Sequence, residues 1–423
     1  MRLTVVGNPG NRRVDLFARA ALAAGLPRPT VLPWADVLTG AAPPAPGTLV
    51  RVDSPGEDPE VDRLLRRAAV PARHGELVGL ADTYAGLVSG LGRVAAGGAE
   101  LLNDPADVAA MCDKRRCHAR LSAAGVPVPA ALPPVRGWRE LRAAMAAAGW
   151  SRVFVKPAHG SSAAGVIALA VAGHRVQAVT TVEVTPDGLF NSLRPRRYAD
   201  EAEVAAIVDR LAPDGLHVER WLPKAGLGDR VVDLRVVVVA GRPTHAVVRA
   251  ARGPLTNLHL GNARGDLAAL RAAAGPAGWA AAMETCERVA ACFPRTLQVG
   301  VDLMFLVGWR RHAVAEVNAF GDLLPGVLAD GRDTYAEQVR ALTDGRWQRW
   351  RGAAALPETT HGDAPARQTA HGDAAGRGTT HGDAPETQTV PGGAPGRENT
   401  RGGAPGRQAT RDAVGREALP CGA

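Results

Sequence analysis

The chain opens on an apolar run at residues 3–7. Asn8-Pro9-Gly10-Asn11 breaks it, and an alanine-rich amphipathic stretch over 14–24 follows and stops at Gly25. A short apolar run bounded by turn residues predicts a buried strand, and the second stretch predicts a helix. Further strands are expected at 30–34 and 48–52. Strand, turn, helix and strand at this spacing form the βαβ pattern of a parallel sheet, so residues 1–104 read as one small α/β domain. The loop at 7–10 lies where such a sheet can meet a ligand, although a plain turn explains it as well. The same two readings hold for Arg51-Val52-Asp53-Ser54-Pro55-Gly56. Neither loop reads GxGxxG, so no dinucleotide is implied.

The texture changes at Asp104-Pro105-Ala106-Asp107, which opens a helix expected to run to 124 and close at Gly125. Residues 126–129 are extended, 137–148 are helical, and 151–156 form a strand that enters a small-residue loop at 159–165. Strands are expected at 166–171 and 176–184, with a short segment at Leu189. A helix follows at 201–211, and strands at 217–221, 231–240 and 244–250. The series closes with a helix at 279–291 and a hairpin of 297–305 with 313–317. Clustered strands with helices to one side predict an α+β domain over 105–345. From His361 the chain repeats every ten residues, and 351–423 holds 14 Gly, 7 Pro and no Phe, Trp or Tyr. Such a segment cannot bury enough apolar surface to offset chain entropy, so it is expected to be a disordered tail. His361, His371 and His381 could suggest a metal tract, but repeat expansion explains them better, because nothing holds the rings together.

Composition narrows the class. With 423 residues the chain can form two or three packed domains. No apolar run approaches the roughly 20 residues of a membrane span, and the N-terminal run is too short for a signal peptide. Five scattered cysteines form neither a disulfide framework nor a CxxC pair, so a cytoplasmic protein without a membrane partner is expected. The formal charge is +8, and the tail balances 8 Arg against 8 acidic residues, so the excess lies in residues 1–350. A basic balance suits nucleic acid or a nucleotide alike. The chain has no basic stripe with interleaved aromatics, which favours a small anionic ligand over nucleic acid. Of 50 basic residues only Lys114, Lys156 and Lys224 are lysines. Where arginine is the default cation, a retained lysine is a candidate for work that needs a compact ammonium, such as contact with a phosphate oxygen.

Lys156 ends an apolar strand and precedes Gly160-Ser161-Ser162-Ala163-Ala164-Gly165, where backbone N–H groups and hydroxyls can wrap phosphates. The lysine precedes the glycines, so this is not a Walker A motif. Glu316 and Asn318 lie two apart on a predicted strand and share a face, with Asp302 on the strand before; three oxygen donors of this kind suit Mg²⁺. Asp233-Leu234-Arg235 opens a strand, Arg249 ends the next and Thr256-Asn257-Leu258-His259 follows; Arg249, Arg252 and His259 could all face one anionic centre.

Taken in order, these pieces resemble the ATP-grasp superfamily, nearest the glutathione synthetase and ribosomal-protein-glutamate ligase branch. The matching segments are DK at 113–114, GVPVP at 125–129, VKPAHGSSAAGV at 155–166 and VERWLPKAG at 218–226. They continue with DLRVVVVAG at 233–241, TNLHLGN at 256–262, GVDL at 300–303 and AEVN at 315–318. The likeness covers about residues 105–328. It implies an α/β pre-ATP-grasp, Rossmann-like domain followed by an α+β ATP-grasp domain of two lobes with the nucleotide cleft between them. It also implies ATP and Mg²⁺ as cofactors, with two ions expected and Mn²⁺ an alternative.

The resemblance assigns roles as well. Lys114 and Lys156 would contact the α/β-phosphates, and Gly160, Ser161, Ser162 and Gly165 would cover them. Backbone groups at Glu219, Arg220 and Trp221 would read adenine, Leu222 would pack on it, and Asp233 would hold the ribose. Asp302, Glu316 and Asn318 would bind the metal, while Arg249, Asn257 and His259 would serve catalysis at the γ-phosphate. Where the branch often has a basic residue two before Asn257, this chain has Leu255, with Arg252 a candidate replacement. After AEVN the chain reads Ala319-Phe320-Gly321-Asp322 rather than SPG, so a different substrate is expected. Asn191, Arg194, Arg196, Arg197 and Tyr198 either bind an acidic substrate or form a solvated connection.

The implied reaction is an ATP-dependent ligation. A substrate carboxylate attacks the γ-phosphate, and an amine or thiol then displaces phosphate from the acylphosphate. The partners would be ATP, an unidentified carboxylate and its nucleophile. A phosphotransferase acting on a hydroxyl, or a non-catalytic nucleotide-binding module, is the competing reading. Analogy alone suggests a homodimer.

Overall fold

Residues 1–320 and 324–355 are described by the computed structural model. Gly321, Asp322, the three tail histidines, Cys421 and the repeats lie outside the described residues. The first sheet is the expected parallel one. It is built from β1 (Arg2–Gly7), β2 (Thr30–Pro33), β3 (Thr48–Val52) and β4 (Glu100–Leu101) in the order β2-β1-β3-β4. Helix α1 (Arg12–Ala23) is capped by Asn11, whose side chain accepts from the Arg13 N–H at 3.0 Å. Helices α2 (Trp34–Thr39), α3 (Pro59–Arg66) and α4 (Leu80–Ala95) complete this region. Sequence reading missed all three. Trp34, expected to end a strand, instead begins α2 and is fully buried.

The single helix expected from 104 to 124 is two, α5 (Pro105–Met111) and α6 (Lys114–Ala123). The break follows from Asp113, whose carboxylate accepts from the N–H groups of Arg115 and Arg116 and so caps a second helix. That cap makes Lys114 the first residue of α6.

Helix α7 (Trp138–Ala147) leads into the second sheet. Its strands are β5 (Arg152–Pro157), β6 (Ile167–Ala172), β7 (Arg175–Thr185), β8 (Gly188–Tyr198) and, after α8 (Glu201–Leu211), β9 (Leu216–Arg220). The order is β8-β7-β6-β5-β9, and every pairing is antiparallel. Strand β8 is much longer than the short segment expected at Leu189, and it absorbs the basic stretch from Asn191 to Tyr198.

The third sheet contains β10 (Gly226–Leu227), β11 (Arg230–Val239), β12 (Arg242–Ala251), β13 (Ala263–Gly265), β14 (Gln298–Phe305) and β15 (His312–Asn318). Its main path is β13-β12-β11-β14-β15. Helix α9 (Leu267–Ala291) crosses behind it with a kink at Gly275-Pro276, so the helix expected at 279–291 is its second half. Helices α10 (Thr334–Thr343) and α11 (Arg346–Ala355) close the described chain, and α11 takes up the first five residues assigned above to the tail.

Two cores tie the first sheet to the third. One runs from Val50, Val52 and Leu91 through Leu121 to Leu234, Val236 and Val301. The other joins Val5 and Phe17 to Val237, Tyr335 and Trp347. The second sheet keeps its own core, including Leu141, Val155, Ile167, Ile207 and Val218. Among the described residues, no helix is long and apolar enough to cross a membrane.

Candidate functional site

Strand alternation builds the site. On β5 and β9 the register pairs Phe154 with Glu219 and Lys156 with His217, so all four side chains share one face of the second sheet. On the third sheet, Asp233 of β11 lies opposite Arg249 of β12, and Arg235 of β11 lies opposite Asp302 of β14. Asp302 in turn lies opposite Glu316 of β15. A row of alternating charges therefore crosses this sheet. The two faces bound a cleft. Lys114, Lys156 and Lys224 all line it, so every lysine of the chain meets in one place.

Each lysine is held by a carboxylate. Lys114 Nζ lies 3.0 Å from Glu316 Oε1 and also donates to the Gly160 carbonyl. Lys156 pairs with Glu219 and donates to the Ala315 carbonyl at 3.3 Å. Lys224 Nζ donates to Asp233 Oδ2 at 2.7 Å and to Thr256 Oγ1 at 2.6 Å. Arg249 bridges two acids, with Nε 2.7 Å from Asp233 Oδ1 and Nη1 3.1 Å from Asp302 Oδ2. Arg235 forks onto both Asp302 oxygens.

These pairings set the ionisation of the site. Burial pushes the Glu219 carboxyl up, but the Lys156 charge and hydrogen bonds from His217 and Lys156 outweigh it and hold the group down at about 2. Burial likewise opposes charge on Asp233 and Asp302. Arg249 and Lys224 win at Asp233, and Arg235 and Arg249 win at Asp302, so both carboxyls stay below their ordinary range. Burial pulls Lys156 down, yet Glu219 and Glu316 raise it. The cleft thus presents fixed ammonium and guanidinium charges. By contrast, burial drives the nearby Cys112 and Cys117 thiols up to about 12, which leaves them unsuited to act as nucleophiles.

Apolar residues complete the walls. Leu222 and Ala315 pack on Met304 at one side. Phe154 and Ala163 pack on Val166 and Leu255 at the other.

The structure brings together most of the residues singled out in the sequence. Lys114, Lys156, Gly160, Glu219, Leu222, Asp233, Arg249, Asn257, Asp302 and Glu316 all line the cleft. Others stand apart. Ser161 and Ser162 are exposed, and from this loop Gly160, Ala163 and Ala164 line the cleft instead. Gly165 is buried at φ +70°, where it closes the loop. The Trp221 ring packs against Phe154 with centroids 5.1 Å apart. The N–H groups of Arg220 and Trp221 donate to Ala130 and Arg152 carbonyls at 2.8 and 3.2 Å, so neither is open to adenine. Both Asp233 oxygens are taken by Arg249, Lys224 and Thr256, which leaves the ribose without this acceptor. His259 is exposed, and its N–H caps onto Asn257 Oδ1 at 3.0 Å. Arg252 pairs with Asp229 on the surface at 3.1 Å and does not stand in for the basic residue missing at Leu255.

Asp302, Glu316 and Asn318 supply hard oxygen donors from adjacent strands, which is the donor chemistry of a Mg²⁺ site. Among the described residues, no cluster of three or more His, Cys, Asp or Glu could hold an ion. Both Asp302 oxygens are taken by Arg235 and Arg249, and Asn318 lies outside the cleft lining, so an ion here would have to displace a guanidinium from Asp302 or rest on Glu316 and phosphate oxygens. Arg235 and Thr256 were named in the sequence without a role at the site, His217 was not singled out, and Lys224, a candidate phosphate contact, is held by Asp233 and Thr256. A period of two could have found Arg235 from Asp233 and His217 from Glu219.

No family model and no curated protein matches the chain. Among solved structures, D-cycloserine synthetase DcsG is 16% identical over 82% of this chain and 100% of its own, with a TM-score of 0.51. ATP-grasp ligase PsnB, solved with precursor peptide PsnA2 and AMPPNP, is 18% identical over 82% and 98%, with a TM-score of 0.45. The macrocyclase MdnC of Microcystis aeruginosa, bound with precursor peptide MdnA, is 11% identical over 82% and 100%, with a TM-score of 0.48.

Proposed function

The chain has the ATP-grasp fold, and on that premise we propose that it is an ATP- and Mg²⁺-dependent ligase joining a carboxylate to an amine or thiol. The observation that carries this reading is the convergence of all three lysines on one cleft with apolar walls. A triphosphate needs several fixed positive charges, and a base needs a flat apolar slot beside them.

Lys114 and Lys156 neutralise the α/β-phosphates, while Gly160, Ala163 and Ala164 cover them. Leu222, Met304 and Phe154 hold the base. Asp302, Glu316 and Asn318 would hold the metal, which when bound shields phosphate charge and aligns the transferred group. Arg249 and Asn257 face the γ-phosphate end. A substrate carboxylate oxygen attacks the γ-phosphorus and the bond to the β-phosphate oxygen breaks, giving an acylphosphate and ADP. An amine or thiol then attacks the acyl carbon, inorganic phosphate leaves, and the nucleophile's proton passes to solvent. Catalysis rests on positioning and charge neutralisation, so no covalent enzyme intermediate is needed.

The test is ADP release across a panel of acids and nucleophiles, with hydroxylamine added to trap acylphosphate. Hydroxamate that depends on both ATP and one acid supports ligation. Phosphorylated product without hydroxamate would convert the reading to a kinase.

A further inference from the structure

Behind the cleft, and sharing Lys114, Lys156, Glu219 and Glu316 with it, lies a smaller cavity. Two histidines line it. His217 Nε2 lies 3.4 Å from Glu219 Oε2, while the other carboxylate oxygen takes Lys156. The His118 ring backs His217 with centroids 5.1 Å apart, and its Nε2 is anchored 2.7 Å from the Pro129 carbonyl. A chain of contacts therefore runs from the backbone at Pro129, through His118, His217 and Glu219, to the Lys156 ammonium. His217 and Glu219 are buried.

We propose that His217 is a positioning residue for nucleotide binding: it occupies one oxygen of Glu219, so that the other is aimed at Lys156 and fixes the ammonium in the cleft. This rests on the ligase reading above. A buried carboxylate needs a donor for each oxygen. Without His217, one oxygen of Glu219 is orphaned. The group then turns to share Lys156 between both oxygens or takes up a proton, and either change displaces the ammonium from its place beside the Ala315 carbonyl. The charged groups around Glu219 are Lys156 on β5 and His217 on its own strand, with His118 of α6 behind. Glu316 and Asp302 of the third sheet act on Lys156 from the opposite side. Burial lowers His217 despite Glu219 nearby, and the Lys156 charge adds to that effect, while the geometry sets Nε2 against Glu219 Oε2 at 3.4 Å.

The experiment compares the full-length wild type with His217→Leu and His217→Gln. His217→Leu should raise the KM for ATP about tenfold, the size of one lost buried hydrogen bond, with a smaller change in kcat. The acidic limb of kcat/KM for ATP should also move to higher pH, because Glu219 protonates more easily. His217→Gln restores an N–H donor and should recover most of the affinity and the original limb. Circular dichroism and the unfolding midpoint confirm that both variants fold. If His217→Leu folds and keeps the wild-type KM and pH limb, or if His217→Gln behaves like His217→Leu, the proposal is wrong. Should His217→Leu fail to fold, His217→Gln and His217→Asn carry the same comparison, and a KM that ignores the loss of reach in His217→Asn overturns it. If the wild type itself neither binds nor turns over ATP, it is the ligase reading that fails.

Discussion

Lys156→Ala separates two roles that share one side chain. Lys156 lines the cleft, but it is also the cation that neutralises buried Glu219. Removing one partner of a buried pair costs roughly 3–5 kcal/mol, because the other charge stays behind. The structure gives an independent scale. Glu219 held down at about 2 represents roughly 3 kcal/mol of stability at neutral pH. That contribution is complete above the unfolded carboxylate value and is lost as pH falls toward the folded one. In Lys156→Ala the sign reverses. Burial then raises Glu219, so the penalty is present at neutral pH and is relieved as pH falls from that raised value toward the unfolded value of about 4. The wild type should lose stability on acidification while the gap to Lys156→Ala narrows. The double variant Lys156→Met/Glu219→Gln removes both charges and should cost under about 2 kcal/mol, with a coupling of at least about 2 kcal/mol. Both variants should lose ATP turnover. Urea unfolding from about pH 2 to 8 with a common slope provides the measurement. A Lys156→Ala protein within about 1 kcal/mol of wild type at neutral pH, or one with the same pH slope, would refute this reasoning.

Two further predictions concern the chain's end. Trp347 of α11 is fully buried and donates from Nε1 to Glu100 at 3.1 Å, so Trp347→Ala should lower stability by about 3–5 kcal/mol, read as the urea midpoint. Deletion of 356–423 should leave kcat and KM for ATP unchanged, since that segment lacks Phe, Trp and Tyr; a loss beyond about tenfold would show that it serves the site.

Legibility in the sequence followed period and spacing. The hairpin of β14 and β15 was readable because its two apolar strands lie close together, and the register does set Asp302 against Glu316. The parallel sheet was readable from apolar runs bounded by turns. Helices α3, α4 and α10 were missed, although α3 carries a clear signal in Asp58, which caps it ahead of Pro59. The break between α5 and α6 was hidden because Asp113 sits inside an otherwise continuous helical pattern. At the site, sequence likeness could name Asp233 and Asp302 but not their occupants. The forks of Arg249 and Arg235 are tertiary facts, set by which strands become neighbours. The long range of those contacts, 53 residues between Arg249 and Asp302, is why no local pattern contains them.

Charge balance explains why lysine was kept where arginine is the rule. Five cations, Lys114, Lys156, Lys224, Arg235 and Arg249, face four carboxylates, Glu219, Asp233, Asp302 and Glu316, so the cleft is nearly neutral. Unpaired, each buried cation would cost several kcal/mol. The two arginines are locked as scaffold, because a planar fork bonded to one or two acids has a fixed orientation. The lysines are different. Lys156 has one carboxylate and one carbonyl, and Lys114 has the same pair of partner types. A spherical ammonium on a flexible stem can exchange a carboxylate oxygen for a phosphate oxygen by a small rotation, without giving up a bidentate geometry. Arginine at either place would add bulk and donors that need new acceptors in a wall already satisfied. The same carboxylates that make the free cations tolerable also set the threshold an anion must exceed to claim them. A monoanion gains little over Glu219 or Glu316, whereas a triphosphate offers several oxygens to Lys114 and Lys156 at once. Selectivity for a polyanion thus follows from the pairing itself.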